Sequence, residues 1–161
     1  MIIISDTSSL SGLLVIGRLD ILEQVYQRVI IPQAVYEELL TLERYGYDLQ
    51  AIQKATWLKV IVPSDKQLVA KLSETLDQGE SEAIAASIEQ NADYLLIDEK
   101  KGRAVAESLG VEVVGLVGVL IEAKELEVID LVAPILDELR QKAGFWISEK
   151  FYSYILRKLN E

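Results

Sequence analysis

Acidic side chains recur in this sequence at places where they could do chemistry. Asp6 directly ends the apolar run Ile2-Ile3-Ile4-Ser5, and Asp98-Glu99 directly ends Tyr94-Leu95-Leu96-Ile97. Between them, Glu38 follows a junction at Pro32, in Ile31-Pro32-Gln33-Ala34-Val35-Tyr36-Glu37-Glu38-Leu39. Glu80 and Glu82 lie in Leu76-Asp77-Gln78-Gly79-Glu80-Ser81-Glu82-Ala83-Ile84-Ala85. The chain has no histidine and no cysteine. That removes imidazole and thiolate ligands, the commonest general base and any cysteine nucleophile. A metal site in this chain must rest on oxygen donors, which points to Mg²⁺ or Mn²⁺ rather than zinc.

Each acid also has a plainer use. Asp6 and Asp98 could cap helices, although Thr7 or Ser8 could cap in place of Asp6. Val35 and Leu39 share a helix face with Glu38 beside them, whereas Glu37 lies about 100° away and faces water. In a first helical turn, Glu80 and Glu82 would meet the positive end of the helix dipole. The small residues Ala83, Ala85 and Ala86 would leave space beside Glu82 for a ligand or another element. Singly, these acids specify nothing. Their order along the chain carries the signal.

Strand-end acids matter only if a parallel sheet brings them together, because ligands bind beyond the carboxyl ends of such strands. Apolar, β-branched runs at 2–5, 28–31, 58–62, 94–97 and 111–114 predict strands buried on both faces. Helical patterns lie between them at about 8–26, 32–55, 65–90 and 100–109, and then at 116–125, 130–142 and 148–159. Pro32 fits a first helical turn, and Gly110 fits the position just past a helix end. The alternation predicts a three-layer α/β/α domain with a central parallel sheet of four to five strands and helices on both faces. If the first and fourth strands are neighbours, Asp6 and Asp98 meet at one edge.

Composition sets the outer limits. With 161 residues, 50% of them hydrophobic, the chain suits one domain over 1–161 with its own core, and disorder is excluded. The 26 acids against 16 bases argue against a protein that simply coats DNA or membrane. No apolar run approaches the roughly 20 residues of a membrane span, and the N-terminus lacks a basic segment, so a cytoplasmic protein is expected.

In order and spacing, these segments resemble a PIN domain, the nuclease fold of VapC-type toxins. More closely, they resemble a bacterial and archaeal PIN-like branch long catalogued as a family of unknown function. The matching stretches are Ile4-Ser5-Asp6-Thr7-Ser8-Ser9-Leu10, the Glu38 and Glu80–Glu82 segments above, Leu95 through Ala106, and residues 135–139 and 143–148. The resemblance implies a metal-dependent endoribonuclease that uses Mg²⁺ or Mn²⁺. It implies Asp6 as the first acid, Glu38 as the second, Glu82 as the third with Glu80 its rival, and Asp98 as the fourth with Glu99 contributing. Ser8 matches the supporting hydroxyl. Common VapC toxins carry Asp at the third acid and often place the fourth one step later, so the third and fourth assignments stay open here. An RNA substrate, a toxin role, a homodimer and a small antitoxin partner are also implied. The alternative is a catalytically silent PIN-like binding module whose acids cap helices or hold a structural ion.

Physical chemistry gives such a cluster its logic. Carboxylates within about 4–6 Å of one another raise each other's pKa, and a divalent cation reverses that penalty. Phosphate binding also needs positive potential, which a net charge of −10 opposes. Local bases offset this: Lys100, Lys101 and Arg103 follow Asp98, while Arg140, Lys142, Lys150, Arg157 and Lys158 lie among few acids. Arg103 is the leading phosphate candidate because its fork suits phosphate bidentately. Local ion pairing is the plainer use of these bases. Helices about 130–159, with the aromatic stretch 145–155, would form a dimer or partner-binding face, with base stacking a lesser use.

Overall fold

A computed structural model describes residues 1–161. Five strands form: β1 (Ile3–Ser5), β2 (Val29–Pro32), β3 (Leu58–Ile61), β4 (Tyr94–Leu96) and β5 (Val113–Val114). The first helices are α1 (Thr7–Val15), α2 (Asp20–Tyr26), α3 (Gln33–Leu40) and α4 (Gln50–Gln53), with a 3₁₀ turn at Thr41–Tyr45. They are followed by α5 (Lys66–Leu72), α6 (Gln78–Glu89), α7 (Lys100–Ser108), α8 (Leu116–Glu125), α9 (Ala133–Lys142) and α10 (Glu149–Lys158).

All strand pairs are parallel, in the order β3-β2-β1-β4-β5. Chain order runs outward from β1 to β3 on one side and resumes at β4 on the other. The switch point therefore falls between β1 and β4, where open α/β sheets bind ligands. Ser5 pairs with Leu96, and the Asp6 N–H donates to the Leu96 carbonyl at 2.9 Å. The ends of these two central strands are thus locked in register.

Side chains alternate across the sheet and divide the core in two. Ile3, Ile31 and Leu96 face a large cluster with α1, α2, α3, α8 and α9. Ile4, Ile30, Leu95 and Ile97 face a smaller one with α5, α6 and α7. This is the expected α/β/α sandwich, and β1 and β2 are wholly buried. Edge strand β3 exposes Lys59 and Val60, so its apolar run does not reflect burial on both faces.

Three expected helices are broken. The segment 8–26 divides at Gly17, whose φ of +71° suits glycine and ends α1. The segment 65–90 divides before Asp77, which starts α6 by a reciprocal capping box with Glu80. The segment 32–55 gives way to the 3₁₀ turn after α3. Pro32 is the last residue of β2 and the N-cap of α3, one step before the helix proper. Ala83 and Ala86 are fully buried in the smaller cluster against the sheet, and Ala85 is fully buried on another side of α6. Small residues on α6 let other elements pack close, and the room beside Glu82 is filled by one of them, α3, whose Ala34 N–H donates to that carboxylate. No helix is long and apolar enough to cross a membrane.

Candidate acidic site at the sheet switch point

Asp6 occupies the N-cap position of α1 but caps nothing with its side chain. It is only 5% exposed. Burial lifts its pKa to about 7; a backbone bond at Thr7 opposes this, and the charges of Asp77, Glu38 and Asp98 add to it. A capping aspartate would be held low by the N–H groups it accepts from.

The acidic neighbours of Asp6 come from three further segments. Glu38 on α3 accepts a hydrogen bond from the Thr7 hydroxyl. The same carboxylate lies against Gly79 of α6, where an added Cβ would come within 2.7 Å of Oε1 and 2.9 Å of Oε2. Glycine therefore lets α3 and α6 bring Glu38 up to the start of α6. Asp77 accepts from the Glu80 N–H at 2.8 Å, and Glu80 reaches back toward the Asp77 N–H at 3.4 Å. The second Glu80 oxygen, Oε2, is buried with no hydrogen-bond partner. It rests against Gly102 of α7, where a Cβ would approach it to 2.6 Å. Burial, a side-chain contact with Asp77 and the charges of Asp77 and Asp6 push the Glu80 carboxyl up.

Asp98 completes the edge. Its Oδ1 accepts from the Leu116 N–H at 2.9 Å, and its Oδ2 from the Ser9 hydroxyl at 3.3 Å. Burial raises its pKa, while those two bonds and the nearby Arg103 charge lower it. Asp98 therefore serves the first turn of α8. The cap of α7 falls to Glu99, which accepts from the Gly102 N–H at 2.8 Å. Arg103 forms no ion pair within 4.0 Å. Lys100 and Lys101 are exposed.

The two rivals for the third acid have different surroundings. Both oxygens of Glu82 are taken: Oε1 by the Ala34 N–H at the start of α3 at 3.2 Å, Oε2 by the Gln78 amide at 2.8 Å. Glu82 braces α3 against α6. Glu80 keeps an orphaned oxygen beside Asp77 and Asp6. Ser8 is exposed and lines a cleft with Asp98 and Glu99 but touches neither carboxylate by hydrogen bond. The hydroxyls that meet acids are Thr7 and Ser9, because alternate residues of the first α1 turn point to different sides.

Asp77, Thr7 and Ser9 were not singled out from sequence. Asp77 had a readable signal, since Asp-x-x-Glu before an apolar run is a capping box. Thr7 and Ser9 had none, because nothing in one sequence says where α1 starts.

The cluster is therefore Asp6, Glu38, Asp77, Glu80 and Asp98, gathered around the starts of α1 and α6. No three acids stand in a ready-made cation cage. The donor set is all oxygen, and it includes one orphaned buried oxygen and two carboxyls raised by burial and, less, by neighbouring like charge. That composition fits a hard divalent cation, which needs only one or two carboxylates beside its waters.

Comparison with known proteins agrees with this architecture. No curated protein matches the chain. Among solved structures, a PilT N-terminus domain protein from the hyperthermophilic archaeon Sulfolobus solfataricus superposes with a TM-score of 0.57 at 24% identity, covering 76% of this chain and 93% of that one. That likeness supports the fold alone. A family model described as a PIN domain matches residues 2–161. The chain belongs to the PIN domain family, whose fold is generally that of nucleases.

Proposed function

We propose that the protein is a metal-dependent endoribonuclease acting through the acidic edge of its sheet, and that it is the toxin of a toxin–antitoxin pair. One observation carries the catalytic reading. A nearly buried Asp6 that caps nothing is pressed by three other carboxylates at the β1/β4 switch point. Helix capping alone gives no reason to hold like charges together at a cost in stability.

In this reading Asp6, Glu38, Glu80 and Asp98 would hold Mg²⁺ or Mn²⁺. Such a cation, when bound, supplies charge to polarise the phosphodiester and favours ionisation of an attacking water. The protein's own groups do the rest. Thr7 and Ser9 aim the Glu38 and Asp98 carboxylates, Asp77 fixes the α6 turn that presents Glu80, and Glu82 holds α3 and α6 together. Arg103, free of ion pairs, offers a fork to phosphate beside Asp98. The RNA, a small antitoxin partner and a homodimer belong to the same proposal.

The test is incubation of purified protein with RNA and Mn²⁺ or Mg²⁺. Cleavage abolished by EDTA supports the reading. A chain that binds RNA or a protein partner and never cleaves fits the silent binding module instead.

A further inference from the structure

We propose that the apolar groove beside Asp98 is a base-stacking subsite: Trp146 receives an unpaired base of the nucleic-acid strand whose phosphate lies against Arg103. This rests on the RNA reading above and adds where and how the strand is held. The groove encloses about 610 Å³ between β5, α8 and the start of α10, a size suited to a small organic ligand. Asp98 and Arg103 form its polar end, and Phe145, Trp146, Ile147 and Phe151 form its far wall.

Trp146 is 82% exposed, whereas the other tryptophan, Trp57, is buried in the core. An exposed indole alone means little. This one also lines the adjoining cleft of about 420 Å³, and both cavities include Asp98. It thus stands between two openings onto the same carboxylate. Gly115 brings the polar end together: a Cβ there would lie 2.7 Å from Arg103 Nη1 and 2.9 Å from Asp98 Oδ1.

Charge selects the occupant. An apolar helix would strip water from Arg103 and Asp98 without supplying the guanidinium an anion. A nucleotide supplies both complements, a phosphate for the fork and a π-face for the indole. Such stacking requires a single strand, because duplex bases are already stacked, and it tolerates any base.

The test reads binding in EDTA, where no metal-dependent cleavage competes. Single-stranded RNA, the same sequence as a duplex, and an abasic ribose–phosphate oligomer are titrated while tryptophan emission and affinity are followed. Single-stranded RNA is expected to quench Trp146 emission, and the abasic oligomer to leave it unchanged. Trp146→Ala is expected to weaken the single strand by roughly tenfold without changing the salt slope, and Trp146→Phe to restore most of the affinity. Arg103→Ala should instead reduce that slope by about one. Unchanged single-strand affinity in Trp146→Ala overturns the subsite. So does a loss of affinity that tracks dissociation of a dimer in light scattering, which would mean that a second copy covers the groove. Stacking without cleavage in a parallel Mn²⁺ assay removes the nuclease reading and leaves the subsite standing.

Discussion

At the C-terminal arm, charges meet their opposites. Arg140 pairs with Glu149 and lies over the Tyr152 ring at 4.5 Å, and Tyr152 donates to Asp137. The Glu161 side chain accepts from Lys124 at 2.7 Å and from the Val132 and Ala133 N–H groups at 3.0 and 2.9 Å. Burial would raise its carboxyl, but Lys124 and the two backbone donors hold it below the usual range. At the sheet edge, the same kind of group is treated in the opposite way. Asp6 and Glu80 are buried among other carboxylates and raised. The arm shows that this sequence can neutralise an acid at a helix start. Leaving Asp6 without such a partner stores repulsion that a cation can release.

If the edge is functional and the arm structural, substitutions at the two should separate. The largest contrast is expected inside α6. Glu80→Gln should lower metal-dependent RNA cleavage by about 100-fold or more, since even supporting groups around a metal cost about 10–100-fold. Glu82→Gln should cost less activity and more stability, because it loosens the brace to Ala34; cleavage assays and thermal melts on both variants read the split.

A second contrast appears with pH in chelator. The folded pKa of Asp6, about 7, exceeds its unfolded value of 3.8, so the folded chain binds more protons between them. The Asp6 contribution to stability should therefore fall as pH rises from about 4 to about 7 and then level off. Glu80, raised to about 8, extends the fall to about pH 8. The Asp6 effect is at most roughly 4 kcal/mol and about 1–3 kcal/mol after local relaxation. Asp6→Asn should flatten that slope in urea titrations and be the more stable chain at pH 8. A raised Tm with Mn²⁺ should be larger at pH 8 than at pH 5.

Gly79→Ala provides a finer cut. Its methyl would displace the Glu38 carboxylate, a flexible group, while alanine gains helix propensity of up to about 1 kcal/mol. The melting temperature should hardly move while cleavage drops by roughly tenfold. The smallest effect belongs to the arm: Arg140→Ala removes a largely surface ion pair and should cost about 0–1 kcal/mol with cleavage unchanged.

Much of the architecture could be read from the chain because it rests on local patterns. The runs at Ile3–Ser5 and Tyr94–Leu96 are apolar, short and end in acids, and they became central neighbours. Glu37 facing water and Glu38 turned inward follow from helical spacing alone. What escaped depended on which group faces which across the fold. Asp77 was hidden as an ordinary turn residue, although its capping box sets where α6 begins. Whether Glu80 or Glu82 lies free could not be settled by spacing, because the answer is the Ala34 N–H, 48 residues away from Glu82. Ser8 stands at the family's supporting hydroxyl by resemblance alone, whereas which of Thr7, Ser8 and Ser9 meets an acid depends on how the first turn of α1 faces the other elements.

In the proposed nuclease, the buried, uncapping carboxylate of Asp6 serves metal-assisted cleavage. That role is tested most directly by RNA hydrolysis with Mn²⁺, comparing the wild-type chain and Asp6→Asn, with circular dichroism on the same samples. Cleavage by wild type, loss of more than about 100-fold in the variant and superimposable spectra are expected. Equal cleavage by the two folded proteins would contradict that role.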